Sequence, residues 1–159
     1  MRWPLNATPK IPKSRAAFGY SANFPKLRLN KGTDLVTKPG AHVFSIDDGV
    51  VQKIHEYKHP TLDSIDKPHK SYAVIIQNED GTYILYGNIN KPTVKIGDLV
   101  NPGKSIGSVS KFSAYYTEQP HLHIEHWSRL PKKNEVWYIK NKPKGLLSST
   151  NLLSKIKDD

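Results

Sequence analysis

The sequence contains no cysteine. A disulfide scaffold, a thiolate zinc finger and a cysteine nucleophile are therefore excluded. No apolar run approaches the ~20 residues that a membrane-crossing helix needs. Amphipathic helical periodicity is almost missing as well; only Leu146 to Ile156 suggests a short C-terminal helix. Acids are scarce at the start. Asp34 is the first carboxylate, after Arg2, Lys10, Lys13, Arg15, Lys26, Arg28 and Lys31. Met1-Arg2-Trp3-Pro4 has no apolar h-region, so no secretory signal is read; a cytoplasmic chain, delivery by another route or prior processing is expected. There is no internal repeat and no low-complexity tract.

What is present fits one domain. The chain has 159 residues, enough to bury a single core without staples. With 36% hydrophobic and 24% charged residues it reads as globular. The formal net charge of +10 creates a field that draws anionic polymers. Nucleic acid, teichoic acid and peptidoglycan all qualify, and so does a plain solvated lysine-rich surface.

From residue 40 onward the signals are β. His42 to Ile46 is followed by the hairpin-type turn Asp47-Asp48-Gly49, and Val50 to Ile54 resumes a strand. Ser71 to Gln77, Asn78-Glu79-Asp80-Gly81 and Thr82 to Tyr86 read as strand, turn and strand. Thr93-Val94-Lys95 is a short strand before the turn Ile96-Gly97-Asp98. Asn101-Pro102-Gly103 turns into Ser105 to Val109. His121 to Trp127 alternates, and Glu135 to Lys140 is a further strand. Short strands with regular turn signals predict an all-β domain, a twisted antiparallel sheet with long loops. Residues 1–29 read as a basic N-terminal arm packing on the domain, 30–130 as the β domain and 131–159 as a C-terminal extension. The stretch between Ile54 and Ser71, with His55, His59 and His69, reads as a long surface loop.

Three motifs carry candidate chemistry. In His121-Leu122-His123 a strand places both imidazoles on one face, with Glu125 next in the row. That suits a zinc ligand beside a catalytic neighbour, and equally a pair of surface histidines. His55-Glu56-Tyr57-Lys58-His59 matches the zincin pattern, which requires a helix to bring both histidines together. A strand precedes it and Pro60 follows it directly, so a coincidence in a loop is the better reading. Asp34, in Gly32-Thr33-Asp34-Leu35, is a metal ligand, a turn cap or a salt-bridge partner.

In order, these segments resemble lysostaphin-type, LytM-like zinc endopeptidases over residues 15 to 127. The matching pieces are Gly32-Thr33-Asp34-Leu35, Pro39 to Val51 and Asp80-Gly81-Thr82-Tyr83-Ile84-Leu85-Tyr86-Gly87. Val94 to Gly107 and His121-Leu122-His123-Ile124-Glu125 complete the series. Trp3-Pro4 and Phe18-Gly19-Tyr20 resemble the family's lead-in. Members of the family cut peptide cross-links of bacterial peptidoglycan. The resemblance implies a zinc held by Asp34, His123 and a histidine whose place is taken by Asn30. It implies His121 as a catalytic histidine, and a second one whose place is taken by Asn88. Glu125, Tyr86 and Tyr116 fall behind the ligands or in the groove.

Both departures bear on chemistry. An Asn carbonyl is a poor substitute for imidazole on zinc, and a catalytic zinc normally has three protein ligands and a water. Asn88 carries no proton near neutral pH, and losing a general acid–base group typically costs about 10²–10⁴-fold. The expectation is a degenerate, catalytically impaired domain with zinc weakly held or absent. It would bind cell wall (peptidoglycan) or a protein partner, with phage-particle or host-lysis delivery. The basic arm, Tyr115, Tyr116 and Trp127 are then expected to touch the polymer or partner, with ordinary core and rim packing as the equal alternative. The alternative is an active zinc-dependent endopeptidase with altered ligation, completed by His55, His59 or His69 from the loop. A nucleic-acid binder is the third reading; no aromatic-plus-basic strand pattern of the recognised modules favours it.

Overall fold

A computed structural model describes residues 1–13, 16–20, 28–59, 69–111 and 119–157. Among these the chain forms eleven strands and one helix. In order they are β1 (Arg28–Leu29), β2 (Thr33–Val36), β3 (His42–Phe44), β4 (Gly49–His59), β5 (His69–Asn78) and β6 (Tyr83–Ile89). They continue as β7 (Leu99–Val100), β8 (Ser105–Ser108), β9 (His121–Trp127), β10 (Trp137–Tyr138), β11 (Leu146–Leu147) and α1 (Ser149–Lys157). The main antiparallel sheet runs β11-β9-β6-β5-β4-β7, with β2 also paired to β9. β3 pairs with β8, and β1 with β10. The all-β, antiparallel reading holds.

Alternation decides which face each side chain joins. Val74, Ile76, Ile84, Tyr86, Leu122 and Ile124 share one buried cluster with Val43, Ile46, Ile106 and Leu153. Ala73, Ile75 and Leu85, from the neighbouring positions, form a smaller cluster with Tyr57 and Tyr83 against it. The opposite face of β9 carries His121, His123, Glu125 and Trp127. Gly81, at φ +85°, closes the β5–β6 turn, where its amide donates to the Asn78 carbonyl at 3.0 Å.

Several local readings change. Asp47-Asp48-Gly49 does not fold β3 back on β4, because β3 pairs with β8 and β4 with β5 and β7. Thr93-Val94-Lys95 is not a strand; Val94 is a buried anchor in a turn region instead. The stretch after Ile54 is no loop as far as His59. β4 continues through it, and His59 pairs with His69 on β5. Pairing with a neighbouring strand supplies backbone hydrogen bonds that a local reading cannot see. The helix starts at Ser149, three residues later than read. Ser148 Oγ accepts the Asn151 amide at 3.2 Å as its cap, and Leu146–Leu147 pairs with β9.

Both ends of the chain enter this packing. The Phe44 amide donates to the Pro4 carbonyl, the Arg2 amide donates to the Ile46 carbonyl, and Trp3 and Leu5 are buried. Leu153 and Ile156 of α1 join the main core, and Ser149 and Thr33 share a buried hydroxyl pair at 2.7 Å. Tyr86 is fully buried in the core, and its hydroxyl oxygen accepts the Ile46 amide at 2.8 Å. Burial, the main effect, pushes its phenol well above the ordinary range, although its hydrogen bonds work against this. Tyr86→Phe leaves that amide without an acceptor. It is expected to lower stability by about 1–3 kcal/mol in urea unfolding without altering the site face; an unchanged midpoint would contradict this role.

Candidate functional site

The site is built where β2 meets β9. Asp34 and His123 are register partners, so the carboxylate and the imidazole leave the sheet side by side. Gly32 makes the approach feasible. A Cβ there would lie 2.2 Å from the Ile124 carbonyl oxygen and 2.8 Å from His123 Cε1. A larger residue would push β2 off β9 and separate the two functional groups.

His123 is held from both sides. Its Nδ1 lies 2.6 Å from Asp34 Oδ1 and its Nε2 lies 2.7 Å from Glu125 Oε2. Two carboxylates are both acceptors, so both ring nitrogens carry protons and the ring is an imidazolium. Burial opposes that charge, but the hydrogen bonds and charges of Asp34 and Glu125 outweigh it and push His123 up to about 10. Glu125 is only 4% exposed. Burial would raise its carboxyl, yet His123, Lys31 and the Trp127 indole bring it down to about 2. Its Oε1 accepts Trp127 Nε1 at 2.8 Å, and Lys31 Nζ stands 3.9 Å from Oε2. Asp34 is likewise lowered despite its burial, through His123, His121 and Asn30.

Asn30 sits at this cluster. Its Nδ2 donates to Asp34 Oδ2 at 3.2 Å and its Oδ1 accepts the Gly32 amide at 3.0 Å. These partners fix the orientation of the amide, because a carboxylate needs a donor and an N–H needs an acceptor. The carbonyl, the only end able to hold a metal, is turned to the backbone. His121 donates Nδ1–H to the Gln119 carbonyl at 2.8 Å, which leaves Nε2 facing Asp34 Oδ1 at 3.8 Å. Asn88 is the one non-glycine residue with positive φ, +63°, among the described residues. It tolerates that conformation as Asn commonly does. Its Nδ2 donates to the His121 carbonyl at 2.8 Å and its own carbonyl accepts the Ser110 amide. It fastens the end of β6 to the start of β9.

Asn30, Asp34, His121, His123, Glu125 and Asn88 are thus brought together. Tyr86 is not among them; it belongs to the opposite, core face. Tyr115 and Tyr116 lie outside the described residues. Trp127 is fully buried, so it offers no contact surface to a polymer and acts instead on Glu125. Lys31 and the Trp127 indole are the contributors that the sequence reading missed. Their signal was position alone: Lys31 follows Asn30, and Trp127 shares the β9 alternation with Glu125.

Among the described residues His55 forms no metal-holding group with the cluster. It faces Ala73 on β5, and β5 and β6 lie between its strand and β9. The strand places the Cα atoms of His55 and His59 about 13 Å apart, against the helix that the zincin pattern needs. His55 is kept below its ordinary value by burial and by Lys133 and Lys53, with Glu125 opposing. Tyr57 beside it is raised to about 12 by burial and then by the Glu125 charge.

Whether this set fits a zinc ion is a matter of distances. Tetrahedral ligands on zinc stand about 3.3 Å apart. Asp34 Oδ1 and His123 Nδ1 are too close for that, at 2.6 Å, with a proton between them. Among the described residues no three His, Asp or Glu side chains are arranged to hold a metal ion. The implied set of Asn30, Asp34 and His123 does not fit as it stands.

The chain belongs to peptidase family M23, whose model matches residues 28–136. Solved structures share the fold. A zinc-containing peptidase from Vibrio cholerae is 24% identical with a TM-score of 0.58, over 79% of this chain and 35% of its own. CbpA from L. salivarius REN is 18% identical with a TM-score of 0.65, over 99% and 96%. The catalytic domain of the prophage-encoded M23 protein EnpA from Enterococcus faecalis, solved as a point mutant, is 19% identical with a TM-score of 0.60, over 88% and 96%.

Proposed function

We propose that this chain is an M23 domain with impaired hydrolysis that binds peptidoglycan at its β2–β9 face. One observation carries this. The Asn30 amide is closed onto Asp34 and the Gly32 backbone, in the place the family resemblance gives to a zinc-binding histidine. Asn88, in the place of a catalytic histidine, is engaged with the His121 carbonyl and supplies no proton.

The altered-ligation reading draws on the Nε2 of His121 facing Asp34 at 3.8 Å. It leads to the same end. If His121 became the third ligand, neither position assigned to a proton carrier would hold a free histidine. Impairment follows from either arrangement.

The test is cosedimentation with purified peptidoglycan sacculi, together with chromatographic analysis of released fragments, with and without added zinc. The wild-type chain is expected to pellet with sacculi and release no cross-link fragments. The Asn30→His, Asn88→His double variant is expected to gain zinc-dependent cleavage. Chelator-sensitive cleavage by the wild-type chain would overturn the impairment. Failure to pellet would overturn wall binding and leave a protein partner as the reading.

A further inference from the structure

The positive charge is concentrated in one segment that the site does not use. Residues 129–144 contain Arg129, Lys132, Lys133, Lys140, Lys142 and Lys144 against a single acid, Glu135. That acid is only partly exposed and is paired internally. Arg129 pairs with both of its oxygens, and the Lys132 amide donates to it at 2.8 Å. Lys132, Lys133, Lys140, Lys142 and Lys144 are all exposed. The short ribbon of β1 and β10 adds Arg28, which is exposed and is the register partner of Tyr138. Six exposed cations therefore belong to one ribbon and its flanks, with their only nearby carboxylate in sequence already neutralised.

The surface is structured. Phe18 packs on Trp137 with ring centroids 5.0 Å apart, and Lys142 Nζ lies over both rings. Lys133 Nζ sits 5.1 Å above the Tyr57 ring, and Lys31 donates to the Glu135 carbonyl. Through these contacts the basic segment borders the face that holds Asp34, His123 and Glu125.

From this we infer that the β1–β10 ribbon and residues 129–144 form a second binding surface, for a flexible phosphodiester polymer such as a poly(glycerol phosphate). Lysine ammonium groups meet phosphates as point charges. Among the described residues the exposed rings near this surface are Tyr138 and Tyr20, with Phe18 and Trp137 half-buried beneath Lys142. Single-stranded nucleic acid uses such rings, so DNA of matched charge is the competitor to test. The choice of a wall polymer rests on the proposed wall-binding function; the polyanion chemistry does not.

The experiment measures affinity for poly(glycerol phosphate) between about 50 and 200 mM salt, where log affinity should fall linearly with log salt. The patch variant is Lys132→Glu, Lys133→Glu, Lys140→Glu, Lys144→Glu. A charge-matched control carries Lys38→Glu, Lys91→Glu, Lys95→Glu, Lys104→Glu, four exposed sites elsewhere. Thermal unfolding of both establishes that they are folded. The patch variant is expected to lose at least ~100-fold in affinity and most of the salt slope, with the control nearer the wild type. Equal losses in both variants would reduce the effect to the whole-molecule field and overturn the site. Absence of binding by the wild-type chain would overturn it directly. Tighter binding to single-stranded DNA of matched charge would reassign the partner as nucleic acid. Sacculi stripped of anionic polymers separate the two proposals: loss of binding there, with polymer binding retained, removes only the peptidoglycan reading.

Discussion

Asn30→His is expected to bind one zinc ion at least ~100-fold more tightly than the wild-type chain, by native mass spectrometry after dialysis against zinc. The argument is about which lone pairs face the cluster. In the wild-type chain Asn30 offers Asp34 an N–H, which is repelled by a cation, and turns its carbonyl to Gly32. Asp34 and His123 then close on one another through a proton at 2.6 Å. A metal must displace that proton and separate the pair before it has even two ligands. An imidazole at position 30 removes the competing N–H and supplies the third donor that zinc sites normally have. His123→Ala in the Asn30→His background should abolish the gain. Zinc held with equal affinity by the wild-type chain and lost on His123→Ala would instead show that the existing residues suffice. Binding should also release protons, because His123 enters the reaction as an imidazolium. Calorimetry in buffers of different ionisation enthalpy reads that release.

Glu125→Leu carries the largest expected loss of stability, about 3–5 kcal/mol for the metal-free protein near neutral pH. Glu125 is buried, and it is the shared acceptor for His123 Nε2 and Trp127 Nε1. Removing it leaves a partly buried imidazolium with one counter-charge and a buried indole N–H with no partner. Glu125→Gln keeps an oxygen for Trp127 but loses the charge, so its deficit should be smaller. The pH dependence follows from the two groups. Glu125 is depressed from 4.5 to about 2, so its contribution is present above the ordinary value and lost as pH falls through about 2. His123 is raised from 6.5 to about 10, so its contribution is complete below 6.5 and lost as pH rises through about 10. The gap between wild type and Glu125→Leu in chelator-treated urea unfolding should therefore be widest between pH 4.5 and 6.5. A gap that is absent at pH 6, or that grows above pH 9, contradicts the buried pair.

These expectations draw unequally on sequence and structure. The β9 row of the site was legible, because a period of two along His121 to Trp127 needs only local pattern. Asp34 was visible as a type of residue at a family position, but not as a neighbour. Its contact with His123 spans the chain and depends on β2 pairing with β9 in one register, with Gly32 allowing the approach. The histidines of the zincin-like pattern show the converse. Their sequence suggested a helix or a loop, and pairing with β5 made a strand of them. Trp127 reads from sequence as either a contact or core, because alternation says which side a residue takes, not what covers that side; the fold buries it.

By itself the sequence determined the fold class, the order of most strands, the excess of positive charge, and the amides at positions 30 and 88. Each of these is set by residue type and short-range spacing. The tertiary structure decided how those groups meet: which end of the Asn30 amide faces Asp34, that His123 is held between two carboxylates, and that the zincin-like pattern lies on a strand. Those outcomes depend on strand register and on burial. Register is a contact between segments distant in the chain, and burial sets whether a charge must be answered by a partner.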